Sequence, residues 1–437
     1  MSVNTMNFEQ ASAVLSSMYK YVTGQTISTP ANAGEFTSVA TTLLQNGYDP
    51  ILRSINQIIT ETIFAVRPYD AQLRGMEVDS QVWGGIVRKL NFLDKKIADY
   101  DDSFPRSGDL SDDPSMIRDG ISVDMFVQNK PAIVQTNFYG GNLYSDWVTI
   151  YENGHYGLQA AFESPAQFAA FWSAILTQMQ NKLEQFVESE KRLCLINMIG
   201  GRLAEYADAR QNATFSTNAT SVKYLLSEYK DATGNATITK DNWKSESEIK
   251  PFIKWLYAYL NTLVRFMSER TMMYHTNLAL SGAAAKGIDP NSVEGLTRFT
   301  RPSDMHCYML TEVNELIRSM VLSSTFNQDL LQMLDYDTIN FWQNPNDPAE
   351  INATVTAFDE TTGTVKDNLS ASSGEVVGVI FDRDALGVTR MNEATYQTPF
   401  NARGRYTNQW FHRVVKWWND FTENSIVLVM DDDPFRT

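Results

Sequence analysis

From Ala166 to Ile199 the chain contains neither glycine nor proline. Ser164-Pro165 precedes this run, a hydroxyl suited to an N-cap followed by proline at the first helical position. Gly200-Gly201 follows it. Within it Phe168, Trp172, Ile175, Met179, Leu183, Phe186 and Val187 recur at steps of three and four, which places them on one face of an α-helix. Lys182, Glu184, Gln185, Glu188 and Lys191 fall largely off that stripe. The spacing predicts a helix over 164–200, roughly 50 Å long at the rise of an α-helix. Arg202 to Asp208 either prolongs it or follows it. A helix of this length acts as a spine, and the remaining segments read as attached to it.

The flanking segments differ in character. Phe8–Tyr21 has a helical pattern, broken at Asn32 and Gly34. Val39–Asn46 and Pro50–Val66 suggest two further helices in a polar, arm-like segment. Met76, Val78, Val82 and Ile86-Val87 suggest a strand, as do Phe126-Val127 and Ile133-Val134. Between these lies a stretch with eight aspartates (Asp99, Asp101, Asp102, Asp109, Asp112, Asp113, Asp119 and Asp124) against Arg106 and Arg118. It reads as a solvated loop or as the tip of a long β-hairpin that reaches a neighbouring subunit. Its spacing does not match a calcium-binding loop.

Asn137–Phe162 is dense in aromatics, including Tyr144, Trp147 and Tyr151, and leads into the spine. After the polar stretch 212–240, Pro251–Tyr274 shows a second strong helical pattern. Ser281–Asn291 is a small-residue turn. Ser303–Leu310 reads as a strand and Thr311–Leu334 as a helix. Asp347–Glu375 reads as a polar, β-like loop or insertion. Val376–Phe381 and Ser425–Met430 are apolar strands, and Tyr406–Phe421 carries Trp410, Phe411, Trp417 and Trp418. Irregular alternation of helices and strands predicts an α+β fold.

No phosphate-binding loop, nucleophile elbow or zincin motif is present. The histidines are His155, His275, His306 and His412. His306 and Cys307 are adjacent on a predicted strand, so they point to opposite faces and do not pair on a metal. No cofactor is expected. A net charge of −16 argues against a protein that grips phosphates. Two cysteines, Cys194 and Cys307, do not form a disulfide framework. There is no run of eighteen apolar residues and no secretory pattern near Met1, so neither a membrane span nor export is expected. A chain with this inventory reads as structural rather than catalytic.

The order of pieces resembles the major capsid proteins of tailed bacteriophages, with the Hong Kong 97-type fold, and is closest to those of small podophages of the Picovirinae type. The resemblance is carried by Asn137-Phe138-Tyr139, Trp147, Gly157-Leu158-Gln159 and Ala161-Phe162 ahead of Phe168 and Trp172. It continues in Val379 to Asp384, Asn401-Ala402-Arg403-Gly404 and Tyr406 to Trp410. It implies an N-terminal arm at 1–66 and an E-loop hairpin at 67–135. It implies a peripheral domain at 136–239 built on the spine, an axial domain at 240–400, and a C-terminal return at 401–437. The implied function is self-assembly, as capsid hexamers and pentamers, into an icosahedral shell around double-stranded DNA that is contacted only non-specifically. Scaffolding and portal proteins are the implied partners, and the implied location is the virion, after assembly in the host bacterial cytoplasm. Aspartates at the hairpin tip, Asp112 and Asp113, would meet Arg403 and Arg405 of a neighbour, and Trp147 would brace the hairpin against the spine at a subunit contact. An encapsulin-like compartment is the alternative within the fold, and a carboxylate-based hydrolase the alternative outside it.

Overall fold

The computed structural model describes residues 7–46, 50–51, 73, 75–78, 87–95, 132–152, 162, 164–277, 293–295, 297–324, 336–359 and 364–436. Asp112, Asp113 and the rest of the acidic stretch lie outside these residues, as do all but the first two residues of the expected helix over 50–66 and the whole turn over 281–291. In chain order the elements begin with α1 (Phe8–Thr23), α2 (Ala33–Gln45), β1 (Glu77–Val78), β2 (Val87–Lys95), β3 (Ala132–Phe138), β4 (Gly141–Tyr151) and α3 (Pro165–Gln211). Then come β5 (Val222–Tyr224), α4 (Leu225–Thr233), α5 (Glu246–Ser268), β6 (Val293–Gly295), β7 (Met305–Leu310), α6 (Thr311–Ser324) and β8 (Tyr336–Ile339). The last are β9 (Ile351–Asp359), β10 (Thr364–Ser373), β11 (Val376–Asp382), β12 (Leu386–Gln397), β13 (Tyr406–Asn419) and β14 (Ser425–Val429). The fold is α+β, as the sequence predicts.

The chain divides into two compact units: Met1–Val87 with Tyr139–Cys194 and Gly387–Trp418, and Arg88–Phe138 with Leu195–Leu386 and Asn419–Thr437. In the first unit α1 is started by reciprocal bonds. The Asn7 side chain accepts from the Gln10 amide at 2.8 Å and the Gln10 side chain from the Asn7 amide at 3.0 Å. The helix stops at Gly24, whose φ of +74° suits a residue without a Cβ. The buried faces of α1 (Ala11, Leu15, Met18) and α2 (Phe36, Ala40, Leu43) form one core with Ile150 of β4 and with Phe168 and Met179 of α3. The sheet order in this unit is β1-β12-β13-β4, with β1 parallel to β12 and β13 antiparallel to β4.

α3 begins where the sequence predicts. The Ser164 hydroxyl accepts from the Gln167 amide at 3.3 Å. Phe168, Met179 and Val187 of the predicted stripe are buried. Two features go beyond the sequence reading. Glu184, Glu188 and Lys191, which fall off the predicted apolar stripe, are buried as well. The two at either end find partners from elsewhere in the chain: Arg390 of β12 donates to both oxygens of Glu184 at 3.0 Å, and Lys191 donates to the Leu73 carbonyl at 3.2 Å. The helix also does not end at Gly200-Gly201 but runs 47 residues to Gln211.

The second unit explains that continuation. A Cβ at Gly200 would lie 2.5 Å from Val355 Cγ1 of β9, and one at Gly201 would lie 2.4 Å from Phe421 Cζ. The paired glycines are where the β9–β10 hairpin and the 420–424 turn approach the helix backbone, so they mark close packing and not an end. The main sheet here is β5-β14-β11-β7-β8, in which β11 is antiparallel to both β14 and β7. Every residue of β11 and β14 is buried, which is why both read in the sequence as unbroken apolar runs. α5 starts at Glu246, ahead of the predicted Pro251, and buries Phe252, Leu256, Leu260, Leu263 and Met267 along one face. The 347–375 stretch is the antiparallel β9–β10 hairpin. β2 lies between β3 and β6 in a three-stranded sheet.

Candidate inter-subunit surface and its supports

β4 and β13 pair in register from Tyr151↔Tyr406 to Gly141↔Lys416. Alternation along a strand sends successive side chains to opposite faces. On one face of β4, Tyr144 packs on Phe186 of α3 at 4.8 Å between ring centroids, and Asp146 pairs with Lys182 at 2.7 Å. Burial would raise the Asp146 carboxyl, but its bonds to Lys182 and to the Trp147 amide hold it below the usual range. The other face is uncharged and open, with large apolar side chains set among Ser145, Thr149, Asn408 and His412: Leu143 is 64% exposed, Trp147 49% and Tyr151 53%. Trp147 packs, tilted by 36°, on Trp410 across the strands at 4.9 Å between centroids, and Tyr151 meets Tyr406 at 5.9 Å. The row extends onto β12, where Tyr396, 60% exposed, packs on His412 at 5.5 Å.

Trp147 therefore points away from the spine, and it is Tyr144, three residues earlier, that meets the helix. The sequence reading singled out Trp147 but missed Trp410 as its counterpart. The signal was present in the alternation Tyr406, Trp410, His412, obscured because the side chains turned inward on this strand include Thr407, Gln409 and Arg413, all buried.

Arg405 has a positive φ of 52° beside the last strand pair, and its guanidinium makes two 3.0 Å bonds to the carboxylate of Glu152 within the same chain. Arg403 is exposed on the same turn, with no ion-pair partner among the described residues. The geometry thus leaves Arg403, of the two predicted arginines, open to an outside carboxylate.

In the second unit a buried polar hub holds the turn between β13 and β14. Arg202 of α3 is fully buried. It donates to the Ser425 hydroxyl at 2.7 Å, to the Phe421 and Glu423 carbonyls at 2.9 and 3.0 Å, to Glu205 at 2.8 Å and to the Thr276 hydroxyl at 2.7 Å. Lys89 of β2 lies 2.9 Å from Asp420 and 2.7 Å from Glu423, and Arg298 lies 3.2 Å from Glu423. Burial alone would lower the Lys89 ammonium, but Asp420 and Glu423 outweigh it and raise its pKa. Burial pushes Glu423 up despite Lys89 and Arg298, whereas Lys89 and Thr422 hold Asp420 below the usual carboxylate range against its own burial. None of these residues was singled out as a site from the sequence. Arg202 and Glu205 become visible there only once the helix is known to continue past Gly201. Beside the hub, Thr297–Phe299, Arg301, Asp304, Asp382–Asp384 and Glu423 line a polar groove of about 470 Å³. No cluster of three metal-ligating side chains exists among the described residues, and no helix among them is long and apolar enough to cross a membrane.

No curated protein matches the chain. Among solved structures it is similar to a chain from "Structure of head fiber and inner core protein gp22 of native bacteriophage P68", with 11% identity over 82% of this chain and 83% of that one and a TM-score of 0.46. It is similar to a chain of the capsid of Staphylococcus phage Andhra, with 11% identity, 85% and 87% coverage and a TM-score of 0.45. It is also similar to a chain of the mature capsid of bacteriophage PhiM1, with 11% identity, 84% and 89% coverage and a TM-score of 0.40. The model of the Phi29-like phage major capsid protein family matches residues 24–429, nearly the whole chain. The chain belongs to that family, and is a shell-forming phage capsid protein.

Proposed function

We propose that the protein self-assembles, as hexamers and pentamers of one sequence, into an icosahedral shell enclosing a phage double-stranded DNA genome. The family match over residues 24–429 carries this reading. Assembly in the host bacterial cytoplasm, with scaffolding and portal proteins as partners, goes with it. The protein catalyses no reaction. Its net charge of −16 suits a shell lining that lies beside packed DNA without gripping it.

The division of labour follows the expected domains: an arm at 1–66, an E-loop at 67–135, a peripheral domain at 136–239, an axial domain at 240–400 and a return at 401–437. Support for the E-loop comes from β2 and β3, hydrogen-bonded neighbours on either side of the acidic stretch. Asp112 and Asp113 of one copy pair with arginine on another. Arg403 suits that role better than Arg405, whose guanidinium Glu152 already holds. Reversing Asp112 and Asp113 to lysine lowers shell yield, and reversing Arg403 to glutamate in the same chain restores it. Unchanged yield and salt sensitivity in the first variant would rule the pairing out.

Electron microscopy of the protein expressed alone and beside its scaffolding partners tests the function itself. Closed shells or sheets of hexamers are the expected result. A persistent monomer or dimer under both conditions contradicts it.

A further inference from the structure

We propose that the outward aromatic face of β4, β13 and β12 is covered, in the assembled shell, by a second copy of this chain. The inference rests on the capsid reading and adds to it the surface through which copies meet.

The first observation is a row of large aromatic side chains on the outward face of a sheet whose inward face buries polar ones. A strand with one wet face puts apolar residues in and polar residues out. β13 departs from this, although Phe411 and Val415 also face inward. Thr407, Gln409 and Arg413 are turned inward and buried, while Tyr406 and Trp410 are turned outward to meet Tyr151 and Trp147 of β4. Leu143 and Tyr396 extend the same outward row and are more than half exposed. Single exposed apolar residues are ordinary on protein surfaces, but a paired row of them on one sheet face marks a contact. Large, rigid aromatic rings are also the side chains that contribute most to interfaces.

The second observation selects the occupant. Between the pairs Leu143↔Val414 and Tyr151↔Tyr406, the outward positions of β4 and β13 carry no lysine, arginine, aspartate or glutamate. Copies of a chain with net charge −16 repel one another, and the electrostatic cost of contact is smallest where each copy is uncharged. A nucleic-acid strand stacked on these rings would need flanking cations to follow its phosphates. Of the two arginines at the end of the row, Arg405 is neutralised by Glu152, and Arg403 alone does not make a track of cations along the rings. Members of this family are capsid proteins, so each copy must offer surface to others.

Ser145 is exposed on this face opposite His412, between Leu143 and Trp147. Ser145→Glu is expected to leave the melting temperature of the free subunit unchanged and to cut shell yield about ten-fold or more, because a charge at the centre of an apolar contact is desolvated without a partner. Trp147→Tyr, which keeps an aromatic ring, is expected to keep most of the yield. Hydroxyl-radical oxidation of Trp147, Tyr151 and Trp410 should slow about five-fold or more when wild-type subunits enter shells, as it does for surface buried at an interface core. Shells that form while these residues oxidise at the free-subunit rate overturn the inference and leave the capsid reading standing. Protection that follows addition of a soluble polysaccharide to free subunits, and not shell formation, assigns the face to a glycan and overturns it as well. Failure to form any shell contradicts both.

Discussion

The outward face of β4 and β13 and the hub around Arg202 use their residues in opposite ways. On the face, rings that an ordinary core would enclose are left open, in cross-strand pairs such as Trp147 and Trp410. In the hub, a guanidinium that ordinarily seeks water is fully buried and makes five hydrogen bonds. The difference teaches where each free energy is spent. The hub secures the subunit, because a buried charge is tolerable only while all its partners are in place. The face contributes little to the lone subunit and keeps its apolar area for association.

The sharpest way to break this contrast is at Arg202. Replacing it with methionine leaves Glu205 buried without its cation and frees the 421–425 turn, and should cost about 3–5 kcal/mol in subunit unfolding, by denaturant titration. A loss below about 1 kcal/mol would show that the hub does not hold the subunit.

His275 gives a pH-dependent version. Burial lowers its pKa from 6.5 to about 4, even though its ring bonds the Thr276 and Thr271 carbonyls. A depressed folded-state pKa means that the unfolded chain binds the proton first. The contribution of His275 is therefore fully present above pH 6.5 and is lost as pH falls from there to about 4. The shift corresponds to something on the order of 3 kcal/mol. Unfolding followed from pH 7 to pH 4 should show this loss in the wild type and a flatter profile in His275→Gln.

Gly201→Ala tests the close approach of the turn. The added methyl meets Phe421, and the overpacking, about 1–3 kcal/mol, should exceed the gain of about 1 kcal/mol in helix propensity. A stabilised variant would mean that the turn yields easily. The smallest effect on the subunit is expected at Trp147. Trp147→Ala should cost the free subunit no more than about 1.5 kcal/mol, the worth of an aromatic pair, while shell yield falls far more steeply. Equal losses in both would erase the distinction between face and hub.

Much of the frame was legible in the sequence. Ser164-Pro165 marks the start of α3, the stripe through Phe168, Met179 and Val187 marks its buried side, and Val376–Phe381 and Ile426–Val429 announce strands buried on both faces. What was hidden lies mostly in contacts between distant segments. The burial of Glu184 and Lys191 was not readable because their partners, Arg390 and the Leu73 carbonyl, are distant in sequence. Gly200-Gly201 looked like a stop because the side chains that occupy the space of the missing Cβ atoms, Val355 and Phe421, come from other elements. β13 gave no clear strand signal because both of its faces mix aromatic and polar residues: Phe411 lies inward with Thr407, Gln409 and Arg413, and Tyr406 and Trp410 lie outward with Asn408 and His412. The face was thus half visible, through Trp147 alone, and the hub was not visible at all.

The most direct test is a three-dimensional reconstruction of the assembled shell at side-chain resolution. The account predicts that a neighbouring copy lies over Trp147 and Trp410 while the 420–425 turn keeps its bonds to Arg202. A complete shell in which solvent covers both tryptophans would contradict it.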